Sequence, residues 1–192
     1  MPRISRRALP EATVALARHL IGMRLVRATA AGRIAGRIVE TEAYPPGDPT
    51  GYARPGLTIS NAPLFAARGM AYVRMVYGAC LTLNIAADRS GVGAAVLIRA
   101  LEPVEGIDLM LKNRPASRLR DLARGPGRVC AALDIGRALS GEDLCTSEVL
   151  WLERAASRKT DIQVATRIGL SRDQHRRLRF LERGSPFVSV PP

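Results

Sequence analysis

The 192-residue chain has few cysteines, few histidines and almost no lysine. Its three cysteines, Cys80, Cys130 and Cys145, are an odd number without CxxC spacing; this argues against a disulfide framework and for reduced thiols in a cytosolic protein. The two histidines, His19 and His175, stand far apart, so ligand spacing assembles no zinc or iron site, and no metal is expected. No apolar run approaches the length of a membrane span. The first residues, MPRISRRALP, are basic but lack the apolar stretch of a secretory signal. Internal repeats and low-complexity blocks are missing too.

What is abundant is arginine. Of 29 basic residues only Lys112 and Lys159 are lysines, and 17 acids leave a net charge of +12. Such an imbalance favours polyanionic partners, nucleic acid first and an anionic membrane second. Codon bias can explain arginine in place of lysine, but not the shortage of acids. Arginine also forks onto phosphates better than lysine does. With 47% hydrophobic and 24% charged residues, the composition is that of a globular domain with a proper core. Residues 1–8 read as a flexible basic arm ahead of it.

The stretch Arg37-Ile38-Val39-Glu40-Thr41-Glu42-Ala43-Tyr44 concentrates chemistry. Its β-branched start reads as a strand, and Pro45-Pro46-Gly47 stops it. Residues two apart in a strand point the same way, so Glu40, Glu42 and Tyr44 share a face unless a bulge intervenes. Two carboxyls this close resist double ionisation, which can shift one pKa. The plain alternative is a strand with a solvated acidic edge.

Around this octet, Ala12–Ile21 has helical spacing with Gly22 as a stop, and Met23–Ala28 reads as a strand that turns at Ala31-Gly32-Arg33 into a hairpin ending at Tyr44. Pro45–Asn61 is a loop of a length that usually carries function. Ala62–Ala67 suits a short helix. Ala71–Met75 and Cys80–Ile85 read as a hairpin whose turn presents Tyr77, either outward or folded back on the strands. Gly93–Leu101 reads as a strand carrying Arg99 in an apolar run, where a charge needs a partner. Pro103-Val104-Glu105 is expected to open a helix to about Leu111, with Lys112–Arg120 as a basic linker. Gly125-Pro126-Gly127-Arg128, ahead of a helix Val129–Leu133, reads as a phosphate-holding loop or a plain turn. Glu148–Glu153 reads as the last core strand, and Ile162–Pro192 as a basic surface segment with a docked end.

The ordered series Arg37–Tyr44, Asp48-Pro49 and Asn61, Tyr72-Val73 with Tyr77-Gly78 and Asn84, Val96–Pro103, Gly125-Pro126-Gly127 and Leu150-Trp151-Leu152 resembles the alkyladenine (3-methyladenine) DNA glycosylase family from about Leu16 to Phe187. The strings ETEAY and LIRALEP are its specific parts. The resemblance implies an α+β fold: a single domain, here residues 9–192, built on a curved, mainly antiparallel sheet with flanking helices. It implies a monomer without cofactor or protein partner that excises alkylated or deaminated purines from double-stranded chromosomal DNA in the cytoplasm. The N-glycosidic bond is hydrolysed after the nucleotide leaves the stack, and an abasic site remains. Residue by residue, Glu42 matches the catalytic base, Tyr44 the aromatic that stacks on the flipped base, and Asn84 the residue that screens out guanine. Tyr77 matches the tyrosine wedged into the minor groove, and Arg99 a strand arginine that positions phosphate or nucleotide. The plain alternatives are a strand-end hydrogen bonder for Asn84 and an ion-pair partner of Glu40 or Glu42 for Arg99.

Two pocket positions depart from the family pattern. Tyr52 stands where the family has histidine; it can stack but cannot titrate near neutral pH. Arg74 stands where the family has a second pocket tyrosine; turned inward, it would place a fixed charge beside the base and favour neutral lesions such as hypoxanthine or ethenoadenine over cationic 7-methylguanine. With neither Lys112 nor Lys159 near the motif residues, no Schiff-base lyase step is expected. The competing readings are a damaged-DNA-binding protein that has lost catalysis and a hydrolase of free nucleosides. Retention of Glu42 weighs against the first, the +12 charge and the tyrosine turn against the second.

Overall fold

The computed structural model describes residues 1–76, 78–154 and 160–191. The octet lies in the second half of β2 (Gly32–Tyr44), and the rest of the sheet is arranged on the two edges of this strand. One edge pairs along its length with β5 (Ala95–Glu105). The other edge is divided. β1 (Arg24–Thr29) takes residues 32–37, β8 (Arg179–Glu182) takes residues 40–42, and Ile38 bonds to Gly22 and Met23 between them. Beyond β5 lie β4 (Cys80–Ala86) and β3 (Ala71–Val76); beyond β1 lies β6 (Leu150–Glu153), and β7 (Ile162–Ala165) flanks β8. Every pairing is antiparallel. The sheet buries its core face under α1 (Thr13–Leu20), α2 (Ile107–Asn113) and α3 (Pro126–Ala132), which contribute Leu16, Leu20, Met110 and Val129. The fold is a single α+β domain with a curled antiparallel sheet. Among the described residues no helix is long and apolar enough to cross a membrane.

A bulge decides where the two glutamates go. Between Ile38 and Thr41 the pairing of β2 with β5 shifts register twice, and the parity of both strands reverses there. Ile34, Ile38 and Leu101 belong to the helix-covered core before the shift; Ala43, Ile98 and Val96 belong to it after. Thr41 donates to the Ala17 carbonyl of α1, so it points to the core side. Glu40, Glu42 and Tyr44 therefore face away from the helices. Uninterrupted alternation would have driven both carboxylates into the apolar layer, since a one-residue slip exchanges the faces.

Three expectations need correction. The basic arm is docked: Ile4 is buried and its N–H bonds to Leu152, Arg3 bridges to Glu153, and Arg6–Ala8 forms a short 3₁₀ turn. The arginines hide this because Arg3 lays its charged end on the Trp151 ring. Pro103 does not open a helix. It sits in β5 opposite Gly36 at a register shift, where a missing N–H is tolerated. The chain turns only at Gly106, whose φ of +69° favours glycine and where a Cβ would meet the Arg33 carbonyl at 2.4 Å. The tail is not a surface segment: β8 is a core strand carrying Phe180 and Leu181, both buried.

Phe180→Ala is accordingly expected to destabilise the protein by about 3–5 kcal/mol. Denaturant unfolding checks this; a surface tail would give a change near zero.

Candidate active site

The two carboxylates of the octet have different fates. Glu40 is fully buried. Its Oε1 accepts from Arg99 Nε at 3.2 Å, Arg179 Nη1 at 3.0 Å and the Ser189 hydroxyl at 2.9 Å, and its Oε2 from the Ser189 N–H. Four donors thus meet this carboxylate, three on Oε1 and one on Oε2. Glu42 is equally buried but less engaged. Its Oε1 faces the Ile168 N–H at 2.8 Å and Arg99 Nη1 at 3.2 Å; its Oε2 accepts from the Tyr44 hydroxyl at 2.9 Å. Glu42 thus accepts two hydrogen bonds, one on each oxygen, and pairs with one cation, against the four donors on Glu40. Burial pushes the Glu42 carboxyl above the usual range; Arg99, the Ile168 N–H and the Tyr44 hydroxyl oppose this, and the Glu40 charge adds to it.

Tyr44 is held from behind. Arg167, buried, lies with its guanidinium carbon 4.6 Å from the Tyr44 ring centroid and donates to the Ala43 carbonyl at 3.1 Å and to Asp48 at 2.8 Å. Its Nε and Nη2 have no hydrogen-bond partner, so the ring face supplies the remaining stabilisation. Asp48 also receives Arg176 at 3.1 Å and closes a turn through the Thr50 hydroxyl and N–H. Burial opposes its ionisation, but the Thr50 donors and Arg167 outweigh it and hold the carboxyl below the ordinary range. Burial first, and the adjoining Glu42 carboxylate second, raise the Tyr44 phenol, which stays protonated as a donor.

Beside these groups opens a cavity of about 460 Å³. Tyr44, Tyr52, Arg74, Asn84 and Arg99 line it, together with the Ile168-Gly169-Leu170 segment. Glu42 has no exposed surface; it reaches the cavity through Tyr44, Arg99 and Ile168, which bond to it and form the wall. Tyr72 and Asn84 are register partners, as are Arg74 and Thr82, so the β3–β4 hairpin presents them on one face. Arg74, although exposed, lies along the cavity lining: its guanidinium carbon is 4.6 Å from the Tyr52 ring centroid and it donates to the Tyr72 hydroxyl at 3.1 Å. Asn61 braces the loop behind Tyr52, donating to the carbonyls of Tyr52 and Gly56.

The candidate residues Glu42, Tyr44, Tyr52, Arg74, Asn84 and Arg99 thus converge at one place. Arg99 is the ion-pair partner of both glutamates as well as part of the wall. Tyr77 lies outside the described residues; Met75 and Val76, just before it, line the cavity. Sequence reasoning missed Arg167, Arg179, Ser189 and the Ile168 N–H, all from the presumed surface tail. The available signal was electrostatic: three buried acids on one strand and loop require cations. It does not say which of the many arginines serve. Among the described residues, no group of three or more His, Cys, Asp or Glu is placed to hold a metal ion.

The family model of methylpurine-DNA glycosylases matches residues 7–186. This chain belongs to that family. As a methylpurine-DNA glycosylase it is a hydrolase of N-glycosyl bonds that serves the repair of alkylated purines. It is 52% identical over 190 residues to a protein of Mesorhizobium japonicum named as a 3-methyladenine DNA glycosylase, covering 99% of this chain and 91% of the relative. A Methanocella arvoryzae protein of the same name is 42% identical, over 98% and 96% of the two chains. The human DNA-3-methyladenine glycosylase is 38% identical over 207 residues, covering 99% of this glycosylase and 69% of its own length.

The occupancy of Glu40 sets an expectation for stability. Glu40→Ala leaves Arg99 and Arg179 buried against one remaining carboxylate, a loss of about 3–5 kcal/mol, as when one partner of a buried pair is removed. Equilibrium unfolding at pH 7 measures it; a change under 1 kcal/mol would show that the network is not structural.

Proposed function

We propose that this glycosylase binds duplex DNA, takes an extruded purine such as 3-methyladenine into the 460 Å³ cavity, and hydrolyses its glycosidic bond with a water activated by Glu42. The observation that carries the reading is that all three groups meeting Glu42, namely Tyr44, Arg99 and Ile168, line the cavity, whereas Glu40 is tied to Arg179 and Ser189 outside that lining; this leaves Glu42 Oε2, which meets one donor, beside the cavity. A water seated there is aimed by a carboxylate whose raised pKa makes it a better base, and whose charge stabilises the positive sugar in the transition state. Tyr44, fixed from behind by Arg167, offers a rigid ring for stacking. Asn84 places an amide on the cavity wall where it crowds a 2-amino group, and this would reject guanine. Tyr77, which follows Val76 in the sequence, is the residue assigned to fill the gap left by the extruded nucleotide. The shortage of acids elsewhere supplies the duplex grip. A free-nucleoside hydrolase needs neither feature.

Bond cleavage needs no amine, and Lys112, on α2, is not part of the cavity wall. The product is then an abasic site, and borohydride is expected to trap no covalent DNA adduct; a trapped adduct would reassign the chemistry to a lyase.

Glu42→Gln is expected to slow single-turnover excision of 3-methyladenine by about 10²–10⁴-fold while duplex binding persists, the usual range for loss of a general base. The native rate is expected to rise with pH through an apparent pKa above that of an ordinary glutamate, because the base must be ionised and burial raises its pKa. A Gln variant with the native rate would falsify the assignment.

A further inference from the structure

We infer that Arg74 sets the charge preference of this pocket, raising the rate enhancement over spontaneous depurination for neutral purine lesions, which leave with negative charge, above that for purines already cationic, 3-methyladenine included. The inference rests on the cavity being the base pocket. Arg74 and Arg99 are the charged side chains among the residues that line it. Arg99 is neutralised by Glu40 and Glu42. Behind the wall, Arg179 is matched by Glu40, and Arg167 and Arg176 by Asp48, with Asp173 3.6 Å from Arg176. Arg74 makes no ion pair among the described residues; its hydrogen-bond acceptor is the Tyr72 hydroxyl. Its charge is therefore the uncompensated one at the cavity.

The aromatic walls add to this. A cationic ring is attracted to an electron-rich aromatic face. Here Arg74 lies over Tyr52 and Arg167 over Tyr44, each 4.6 Å from the centroid, so both rings already carry a guanidinium. A cationic purine entering the cavity meets rings that each already carry a guanidinium on one face, and a like charge beside them.

The electron balance of the reaction points the same way. The C1′–O bond to water forms and the C1′–N9 bond breaks; the pair of that bond goes to the purine, and the water proton to Glu42. A purine alkylated at N7 or N3 starts cationic and leaves neutral, so a fixed cation repels its bound state and stabilises nothing as it departs. A neutral lesion leaves with negative charge developing on the base, and a fixed cation nearby stabilises that charge in the transition state.

The test is single-turnover excision of hypoxanthine and of 7-methylguanine from the same duplex, with enzyme in excess of DNA but below saturation so that each rate includes binding, and each rate divided by that of spontaneous depurination. The native protein is compared with Arg74→Gln and Arg74→Lys, with Glu42→Gln as the blank. The hypoxanthine-to-7-methylguanine ratio is expected to fall by about tenfold in Arg74→Gln, a Coulomb effect reduced by the exposure of Arg74. Arg74→Lys, which keeps the charge, is expected to hold most of the native ratio. Both substrates are read on one preparation, so partial unfolding cancels. An unchanged ratio in the Gln variant, or an equal shift in the Lys variant, overturns the inference. A native protein that releases neither purine, nor 3-methyladenine, overturns the base-pocket reading beneath it; one that releases 3-methyladenine alone overturns the inference and leaves that reading standing.

Discussion

The pairing of Arg99 with Glu40 and Glu42 is the interaction on which the rest of the structure depends. It joins adjacent strands at the bulge, and it lies where charge could not survive unpaired. Three fully buried ionic groups require further donors, and the chain brings these from far away: Arg179 from β8, Ser189 from the end, Ile168 from the segment between β7 and β8. The last third of the chain is thereby tied to the middle of β2. Those ties place the backbone that lines the cavity, so the site and the closure of the fold are one set of contacts.

Elements carried by apolar pattern alone could be read in the sequence. The helix before Gly22, the hairpin ending at Tyr44 and the pair of strands around Tyr77 lie where periodicity and turn residues put them. The errors share a cause. Arg3, Arg167 and Arg179 look like solvated charges, yet each lies on a ring or against a carboxylate, and burial of an arginine depends on partners distant in sequence. Pro103 looks like a helix start because its tolerance inside a strand depends on a bulge opposite, set by Gly36. Local signals cannot carry long-range compensation. The same limit holds at the site: ETEAY marks where the chemistry lies, but not which glutamate is locked and which is left available.

The geometry divides the labour between those glutamates. They are two residues apart, on the same side of the sheet, and both reach Arg99, so neither charge nor exposure separates them. Donor count does. Glu40 is held by Arg179 and by two groups of Ser189; Glu42 meets one backbone N–H, one tyrosine hydroxyl and the shared arginine. A carboxylate held by four fixed donors, of which only Arg99 belongs to the cavity wall, is a structural counter-ion. One with fewer donors, all from residues that line the cavity, can accept a proton from a substrate water.

Glu40 also acts on its neighbour through the guanidinium they share. Arg99 contacts both carboxylates, and the Glu40 charge itself works against ionisation of Glu42. Burial is the largest cause of the raised Glu42 pKa; Arg99 is the strongest influence against it, and Glu40 a smaller one in its favour. The arginine thus fixes Glu42 in position without removing its basicity. The register shift between Ile38 and Thr41 turns both acids to the face of the sheet away from the helices, where one cation serves the pair.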